Sequence, residues 1–285
     1  MGAVISRPTL CVFAAVLFAA PVFPQQTTVE KSHHSLFSQS TATTLQRKYG
    51  KSEVSYLLLD ADSGAVLASH WEEPDKAIPM GSLVKPFTAL AYAETHDFRY
   101  PKYVCKGSTS GCWQRKPHGE LDLTNAISVS CNAYFMHLAE NVSNERETSV
   151  ARSFGLEPSN ENAAKEDLIG IGDRWKIAPM RMALAYLELS RRKDAPGVAP
   201  VIEGMRQSGR HGTGAAIDRQ LKHSEALVKT GTAPCTHARW APADGFVLAL
   251  VPAEKPELLL LIRMHSVTGA RAAETAGRML RDMEE

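Results

Sequence analysis

The sequence lacks any marked charge imbalance. Its 285 residues include 32 Lys and Arg against 31 Asp and Glu, which gives a formal net charge of +1 at pH 7. Both signs are spread along the chain, whereas proteins that bind the phosphate backbone of nucleic acids need clustered Lys and Arg side chains. We therefore expect no nucleic-acid partner.

Long apolar runs are scarce, and the one exception lies near the start of the chain. Residues 10–23 (LCVFAAVLFAAPVF) follow a single charge at Arg7 and precede a polar stretch. The run is too short to span a membrane comfortably and has the shape of a secretory signal. Residues 1–25 are therefore predicted to be a signal peptide or, if uncleaved, a membrane tether. In both cases the rest of the chain is expected to be exported.

Cysteine is also sparse. The chain has five, and Cys11 lies within the apolar run, so four remain in the exported part: Cys105, Cys112, Cys131 and Cys235. Cysteines of exported proteins commonly form disulfides or bind metal, and both arrangements are considered below.

What is present falls into segments of different character. Residues 26–50 are rich in Ser, Thr, Gln and His, which predicts a polar linker that passes into a short helix. Apolar runs at 54–60 and 65–69 flank an Asp-Ser-Gly turn signal and predict a hairpin. Further strand-length runs lie at 226–232, 245–251 and 258–264.

Helical patterns lie between the two sets of strands. Apolar residues at three- and four-residue intervals predict helices at 83–94, 124–141 and 178–192, and a last helix at 270–283. Strands at both ends with helices between them predict an α+β fold, in which a helical lobe is inserted into one sheet. A cleft between sheet and lobe is the natural place for a site.

The first motif that carries chemistry is Ser82-Leu83-Val84-Lys85. It places a hydroxyl at a helix start and an amine one turn later on the same face. A serine hydroxyl becomes a nucleophile when a base lies within hydrogen-bond reach, and a lysine serves if burial or a neighbouring cation lowers its pKa. Alone the pattern is weak, because a Ser helix cap followed by a solvated Lys is common.

Two further motifs strengthen this interpretation. Ser130-Cys131-Asn132 lies on the helix pattern at 124–141, and Lys229-Thr230-Gly231-Thr232 lies on the strand pattern at 226–232. Serine β-lactamases and penicillin-binding proteins carry Ser-x-x-Lys, Ser-Asp-Asn and Lys-Thr-Gly together. The three motifs occur here in that order and in matching contexts.

With these motifs, residues 51–285 resemble the transpeptidase domain of penicillin-binding proteins, and are similar in particular to the class B, elongation-type enzymes. GSLVKPFT at 81–88 resembles the family's nucleophile segment, and GIG at 170–172 resembles part of the stretch before its Lys-Thr-Gly strand. The resemblance implies a serine β-lactamase/transpeptidase-like fold, with an antiparallel sheet and an all-helical lobe. The sequence differs from class B enzymes in length. Those enzymes carry a large N-terminal pedestal domain, whereas this sequence has a short polar segment at the corresponding place.

The resemblance also implies catalytic roles. Ser82 would attack the carbonyl of the penultimate D-Ala of a stem peptide, and Lys85 would take its proton. Ser130 would relay the proton to the leaving D-Ala amine. The backbone N–H groups of Ser82 and Thr232 would form the oxyanion hole.

The remaining motif residues are implied to bind substrate. Asn132 would hold the amide of the donor peptide. Lys229 would help to keep the catalytic lysine neutral and would attract the substrate carboxylate, to which Thr230 and Thr232 would donate hydrogen bonds. Gly231 would let its strand approach the substrate backbone closely.

The implied function is that of a D,D-transpeptidase that acts on peptidoglycan stem peptides through an acyl-serine intermediate, takes β-lactams by the same route and needs no catalytic cofactor. A D,D-carboxypeptidase, in which water replaces the acceptor amine, and a penicillin-sensing or scaffold domain are the alternatives. A β-lactamase is disfavoured, because Glu166 lacks the nearby Asn of class A enzymes and is expected to be a surface acid. The implied location is the periplasm or the outer face of the inner membrane, with cell-wall synthesis proteins as partners.

A separate pattern of metal ligands accompanies the catalytic motifs. Cys105, Cys112, His118 and Cys131 make a complete tetrahedral set for structural zinc, although the spacing is not that of a zinc finger. Similar elongation-type transpeptidases often place ligands before a Trp, in a His-Gly pair and inside the Ser-x-Asn motif, as here. The alternative is a Cys105–Cys112 disulfide, with Cys131 a buried thiol. Cys235 is predicted to belong to neither arrangement.

Overall fold

The structure of the protein is a computed structural model, which describes residues 1–2, 39–160, 162–236, 238 and 240–284. The predicted signal segment, apart from its first two residues, lies outside the described residues. Within the described ranges no helix is long and apolar enough to cross a membrane. The described residues from 39 onward belong to one compact unit.

Strands and helices alternate in blocks along the chain. The strands are β1 (Ser55–Asp60), β2 (Val66–His70), β3 (Ile78–Pro79), β4 (Tyr103–Cys105), β5 (Gly119–Leu121), β6 (Lys176–Ile177), β7 (Leu227–Pro234), β8 (Ala243–Val251) and β9 (Leu258–His265). The α-helices are α1 (39–49), α2 (Lys85–Ala93), α3 (Leu123–Ser128), α4 (Asn132–Glu140), α5 (Asn144–Ser153), α6 (Lys165–Leu168), α7 (Pro179–Arg191), α8 (Ala199–His211) and α9 (Gly269–Glu284). Short 3₁₀ turns are η1 (Gly81–Val84) and η2 (Gly107–Ser110).

The main sheet is antiparallel and is built from both parts of the chain. Its five strands lie in the order β2-β1-β9-β8-β7, so the early hairpin pairs with the late strands through β1 and β9. Side chains alternate along β1, and Leu57 packs into one apolar cluster while Leu58 packs into another. Both faces of the sheet are therefore covered along β1, β8 and β9, which explains why these strands are nearly continuous apolar runs, whereas the edge strand β2 is mostly exposed. The predicted hairpin and the three predicted late strands are confirmed.

The inserted lobe contains α2 to α8 and packs on one face of the sheet, while α9 covers the other. All residues of α2 are buried, including the lysine at its start, so this helix runs through the middle of the lobe. The helix predicted at 178–192 is present as α7. The predicted α+β fold with an inserted helical lobe is confirmed.

One sequence prediction about the lobe is wrong. The pattern at 124–141 predicts a continuous helix, but the chain forms two helices, α3 and α4, separated by a turn. Ser130 lies in this turn with a φ of 50°, in the left-handed region. A non-glycine residue in that region is strained by about 1 to 3 kcal/mol and persists where the surroundings hold it. The residues that hold Ser130 belong to the candidate site.

Candidate active site

The side chains of Ser82 and Lys85 are brought onto one face by a tight turn. Ser82 lies in η1, and the backbone N–H of Lys85 donates to the carbonyl oxygen of Ser82. Side chains three residues apart eclipse each other in a 3₁₀ turn. Ser82 is half-buried and Lys85 is fully buried. Among the described residues the Lys85 amine contacts Ser130 and Asn132 and makes no hydrogen bond to the Ser82 hydroxyl.

Close backbone packing holds this turn in place from two sides. Gly81 has a φ of 59°, and a Cβ added to it would lie 2.8 Å from the backbone nitrogen of Thr232. Gly170 has a φ of 75°, and a Cβ there would lie 2.9 Å from the backbone nitrogen of Ser82. Only glycine tolerates both the left-handed conformation and this proximity. The segment that bears Ser82 is therefore wedged between β7 and the loop at 170–172.

Lys85 connects the nucleophile turn to the turn between α3 and α4. Its Nζ donates to the carbonyl oxygen of Ser130 at 2.9 Å and to Oδ1 of Asn132 at 2.6 Å. The same Nζ lies 3.4 Å from Oγ of Ser130. The left-handed backbone of Ser130 thus points both its carbonyl and its hydroxyl at one buried amine.

Lys229 approaches the same hydroxyl from the sheet. It is fully buried on β7, and its Nζ donates to Oγ of Ser130 at 2.9 Å and to the carbonyl oxygen of Thr230 at 2.7 Å. The Ser130 hydroxyl therefore lies between two lysine nitrogens that come from different elements. A hydroxyl in this position can accept a proton on one side and pass one on at the other.

Burial sets the protonation of both lysines. Burial lowers the pKa of Lys85 to about 7, against an opposing effect of the Cys131 and Cys112 thiols. Burial also holds the pKa of Lys229 well below its ordinary range, and the charge of Lys85 lowers it further. The sequence expectation gave Lys229 a part in keeping Lys85 neutral, whereas desolvation is the principal cause here.

The hydroxyls of the two threonines in the Lys-Thr-Gly-Thr motif make different hydrogen bonds. The hydroxyl of Thr230 donates to Oγ1 of Thr213 at 2.7 Å. Oγ1 of Thr232 accepts from the backbone N–H of Gly269 at 2.9 Å, which leaves its hydroxyl hydrogen to donate. A Cβ on Gly231 would lie 2.7 Å from the carbonyl oxygen of Met80, so the approach that requires glycine is to the backbone next to η1.

Trp113 contributes a contact that the sequence did not reveal. Its indole Nε1 donates to the carbonyl oxygens of Val129 at 3.3 Å and Ser130 at 3.2 Å. The Ser130 carbonyl therefore accepts from both Lys85 and Trp113. A Trp directly after a metal-ligand candidate, Cys112, was the available signal, but nothing in the spacing indicates where its N–H points.

The four residues of the metal pattern converge beside this turn. The ligand atoms of Cys105, Cys112, His118 and Cys131 all lie within 4.8 Å of one another. Nδ1 of His118 lies 3.5 Å from the sulfur of Cys105 and 3.5 Å from that of Cys112, and the sulfurs of Cys112 and Cys131 are 3.7 Å apart. None of these three cysteines is in a disulfide. Three thiols and an imidazole at these separations fit the donor set of a structural zinc site.

The thiols of this cluster differ in their acidity. Burial raises the pKa of Cys131 well above its ordinary range. Burial acts in the same direction on Cys105, but hydrogen bonds from the backbone of His118 and Gly107 outweigh it and lower its pKa to about 6. Backbone N–H groups directed at a thiol stabilise its thiolate, which is the form that binds a metal.

Two other features bear on the predicted chemistry. Glu166 is exposed in α6, as expected of a surface acid.

A groove of about 620 Å³ borders the turn between α3 and α4 at Val129, with Trp113 and Thr213 among its lining residues. It adjoins the network around Ser130 but is not lined by Ser82.

Comparison with known sequences identifies the family of this arrangement. Residues 54–283 match the family model described as the penicillin binding protein transpeptidase domain. The peptidoglycan D,D-transpeptidase MrdA of Haemophilus influenzae is 32% identical over 166 residues, which are 45% of this chain and 25% of MrdA. The matched part thus spans about a quarter of that relative's length.

Solved structures share the fold. The crystal structure of Pseudomonas aeruginosa PBP2 in complex with WCK 5153 has a TM-score of 0.68 and 16% identity, over 88% of this chain and 73% of that one. A complex between PBP2 and MreC from Helicobacter pylori contains a chain with a TM-score of 0.69 and 16% identity, over 87% of this chain and 62% of that one. At this level of identity the likeness is one of fold.

Proposed function

The chain belongs to the penicillin-binding protein transpeptidase family and resembles its class B, elongation-type members, and from this premise we propose that it is an exported serine D,D-transpeptidase. Its substrates are peptidoglycan stem peptides, which it processes through an acyl-serine intermediate. The observation that carries the proposal is the position of the Ser130 hydroxyl, 2.9 Å from Nζ of Lys229 and 3.4 Å from Nζ of Lys85.

Acylation begins at Ser82. Neutral Lys85 takes the hydroxyl proton as Oγ of Ser82 forms a bond to the carbonyl carbon of the penultimate D-Ala. The oxyanion that develops is stabilised by the backbone N–H groups of Ser82 and Thr232, whose segments pack closely at Gly81. A donor at that position counts most in the transition state, where the negative charge is largest.

Collapse of the tetrahedral intermediate releases the terminal D-Ala. The carbon–nitrogen bond breaks, and Ser130 donates its hydroxyl proton to the leaving amine while it recovers one from Lys85. The contacts from Lys85 and Lys229 to Ser130 support this relay. Lys229, with the free hydroxyl hydrogen of Thr232, attracts the substrate carboxylate.

The second half-reaction decides among the enzyme classes. An acceptor amine attacks the acyl-serine ester, the ester bond to Ser82 breaks and a cross-link forms. Water in the same position would give a D,D-carboxypeptidase, or a β-lactamase if the acyl group came from a β-lactam. The exposed position of Glu166 disfavours the lactamase, and the relation to a D,D-transpeptidase favours the amine.

A structural zinc is part of the proposal. Cys105, Cys112, His118 and Cys131 would hold it, since the four ligand atoms lie within 4.8 Å of one another. The metal would supply no catalytic chemistry, and its role would be to stabilise the loop at 105–118 against the turn that contains Ser130. A Cys105–Cys112 disulfide is less consistent with the convergence of all four side chains.

The proposed location and partners follow from the family. Transpeptidation of peptidoglycan takes place outside the inner membrane, so the catalytic part would lie in the periplasm, after the signal or tether proposed at 1–25. Other cell-wall synthesis proteins are the proposed partners, as the complex of PBP2 with MreC from Helicobacter pylori illustrates for a protein of the same fold.

Mass spectrometry of the products tests the proposed reaction. The protein is incubated with a stem-peptide donor, with and without an acceptor amine, beside a Ser82→Ala control. A transpeptidase forms a donor–acceptor product that requires Ser82 and acceptor. Repeated turnover without acceptor, which gives the hydrolysed donor peptide and D-Ala but no cross-linked product, would identify a carboxypeptidase. A stable acyl-enzyme, with release of D-Ala that stops after a single turnover and with no hydrolysed or cross-linked peptide, would identify a penicillin-sensing domain.

A further inference from the structure

A second cluster of metal-ligating side chains lies at one end of the main sheet. The ligand atoms of Cys235, Asp244 and His265 all lie within 4.8 Å of one another. Nδ1 of His265 is 2.6 Å from Oδ1 of Asp244 and 3.9 Å from the sulfur of Cys235. The cluster is separate from the first one, with which it shares no residue.

The three side chains come from neighbouring strands, which fixes their relative positions. Asp244 on β8 and His265 on β9 are direct partners in the antiparallel register. Cys235 follows Pro234, the last residue of β7, and Pro234 pairs with Ala243 on β8. Each ligand is therefore attached to a hydrogen-bonded strand end, which preorganises the group.

The geometry fits a metal better than it fits a catalytic triad. In a triad the imidazole uses one nitrogen toward the nucleophile and the other toward the carboxylate. Here both Cys235 and Asp244 approach the same nitrogen, Nδ1 of His265. The 2.6 Å contact between Nδ1 of His265 and Asp244 is a hydrogen bond, so a metal ion would displace the proton that these two groups share. A sulfur, a carboxylate oxygen and an imidazole nitrogen are the three donor types that zinc takes in proteins.

Asp244 is the most buried member of the cluster, with 2% of its surface exposed. Arg263, two residues before His265 on β9, interacts electrostatically with both Asp244 and Cys235.

We propose that Cys235, Asp244 and His265 form a second zinc site. These residues supply three of the four ligands of a tetrahedral ion, and water or another donor takes the fourth position. The site ties the end of β7, three residues after Thr232, to β8 and β9. Neither the family's catalytic motifs nor the first metal cluster includes any of these residues, so the second site is independent of the proposed transpeptidase activity.

Metal analysis of matched variants tests the second site. The full chain is purified in zinc-containing buffer and desalted, and zinc is counted per chain in the wild type, Cys235→Ser, His265→Asn and a control, His223→Gln, at an exposed histidine outside both clusters. Both site variants are expected to contain about one zinc fewer per chain than the wild type. The control is expected to match the wild type. Equal zinc content in all four proteins would overturn the second site.

Co(II) provides a second measurement that does not depend on metal count alone. Trp240 packs edge-on against His265, with ring centroids 5.2 Å apart. Co(II) bound at Cys235 should quench Trp240 fluorescence, and the quenching should disappear in both Cys235→Ser and Trp240→Phe. Quenching of equal size in Cys235→Ser would contradict the proposal. Circular dichroism shows whether each variant folds. If either Cys235→Ser or His265→Asn fails to fold, the zinc content of the other variant tests the site.

Discussion

Lys85 and Ser130 are joined through both the backbone and the side chain of the serine. Nζ of Lys85 donates to the carbonyl oxygen of Ser130 at 2.9 Å and lies 3.4 Å from its hydroxyl oxygen. This double contact explains why α3 and α4 are separate helices. If residues 124–141 formed one helix, the Ser130 carbonyl would point along the helix axis toward the N–H four residues later and not toward the buried amine.

The first prediction concerns the pH dependence of acylation. Burial lowers the pKa of Lys85 to about 7, and a lysine accepts a proton only in its neutral form. The rate of acylation by a penicillin should therefore rise with pH through about 7 and fall as Lys85 becomes protonated below it. Stopped-flow measurement of acylation across the pH range checks this profile.

A substitution of Lys85, the proposed base, provides the control for the pH profile of acylation. Lys85→Arg should reduce acylation by about 100-fold or more, because a guanidinium does not give up its proton at working pH. Lys102→Arg, at an exposed lysine whose side chain pairs with Glu120, should acylate at the wild-type rate. A Lys85→Arg protein that retained most of its activity would show that Lys85 is not the base.

The second prediction separates two serines of the same lobe. Ser130→Ala removes the proposed proton relay and should slow acylation by about 100-fold. Ser128→Ala is the matched control, since its hydroxyl is buried without a hydrogen-bond partner among the described residues. Removal of an unsatisfied buried hydroxyl should leave Tm unchanged or raise it. Acylation kinetics and thermal melts of both variants check this contrast, and equal acylation rates would contradict the relay.

The third prediction tests the packing behind the nucleophile turn. Gly170→Ala forces a side chain into a left-handed position whose Cβ would meet the Gly81 backbone, and it should cost about 3 kcal/mol or more of stability and slow acylation. Gly155→Ala is the control, because it has a φ of 72° but nothing within 4 Å of the added Cβ. It should cost only about 1 to 2 kcal/mol. Urea denaturation compares the two, and equal losses would exclude a specific role for Gly170.

The sequence predicts the fold better than it predicts the geometry of the candidate site. Apolar runs determine the strands because both faces of the sheet are buried. Asp122 is a typical cap residue and caps α3, with its side chain accepting from the backbone N–H of Asn125. The break at Ser130 could not be predicted, because helical periodicity continues across it and the contacts that hold it come from Lys85 and Trp113. The cluster at Cys235 was missed for a similar reason, since only the strand register brings His265 beside it.

The fourth prediction concerns the first metal cluster. Cys131→Ser should remove about one zinc per chain relative to the wild type. Because the binding energy of a structural metal is also folding energy, Tm should fall by about 2 to 4 °C for each kcal/mol lost. Acylation should fall as well, since Cys131 lies between Ser130 and Asn132. Unchanged zinc content, together with a Cys105–Cys112 disulfide in non-reducing peptide maps, would establish the disulfide in place of the metal.

The identity of the acylated residue is the most direct test of the proposed mechanism. The protein is treated with penicillin, digested and analysed by tandem mass spectrometry, with the Ser82→Ala variant treated in parallel. The geometry of η1 and Lys85 predicts one adduct, on the peptide that contains Ser82, and none in the variant. The hydroxyl of Ser82 is only half-buried and makes no hydrogen bond among the described residues, so Ser82→Ala should keep the wild-type Tm. An adduct on Ser130 or any other serine, or labelling that persists in Ser82→Ala, would contradict the mechanism.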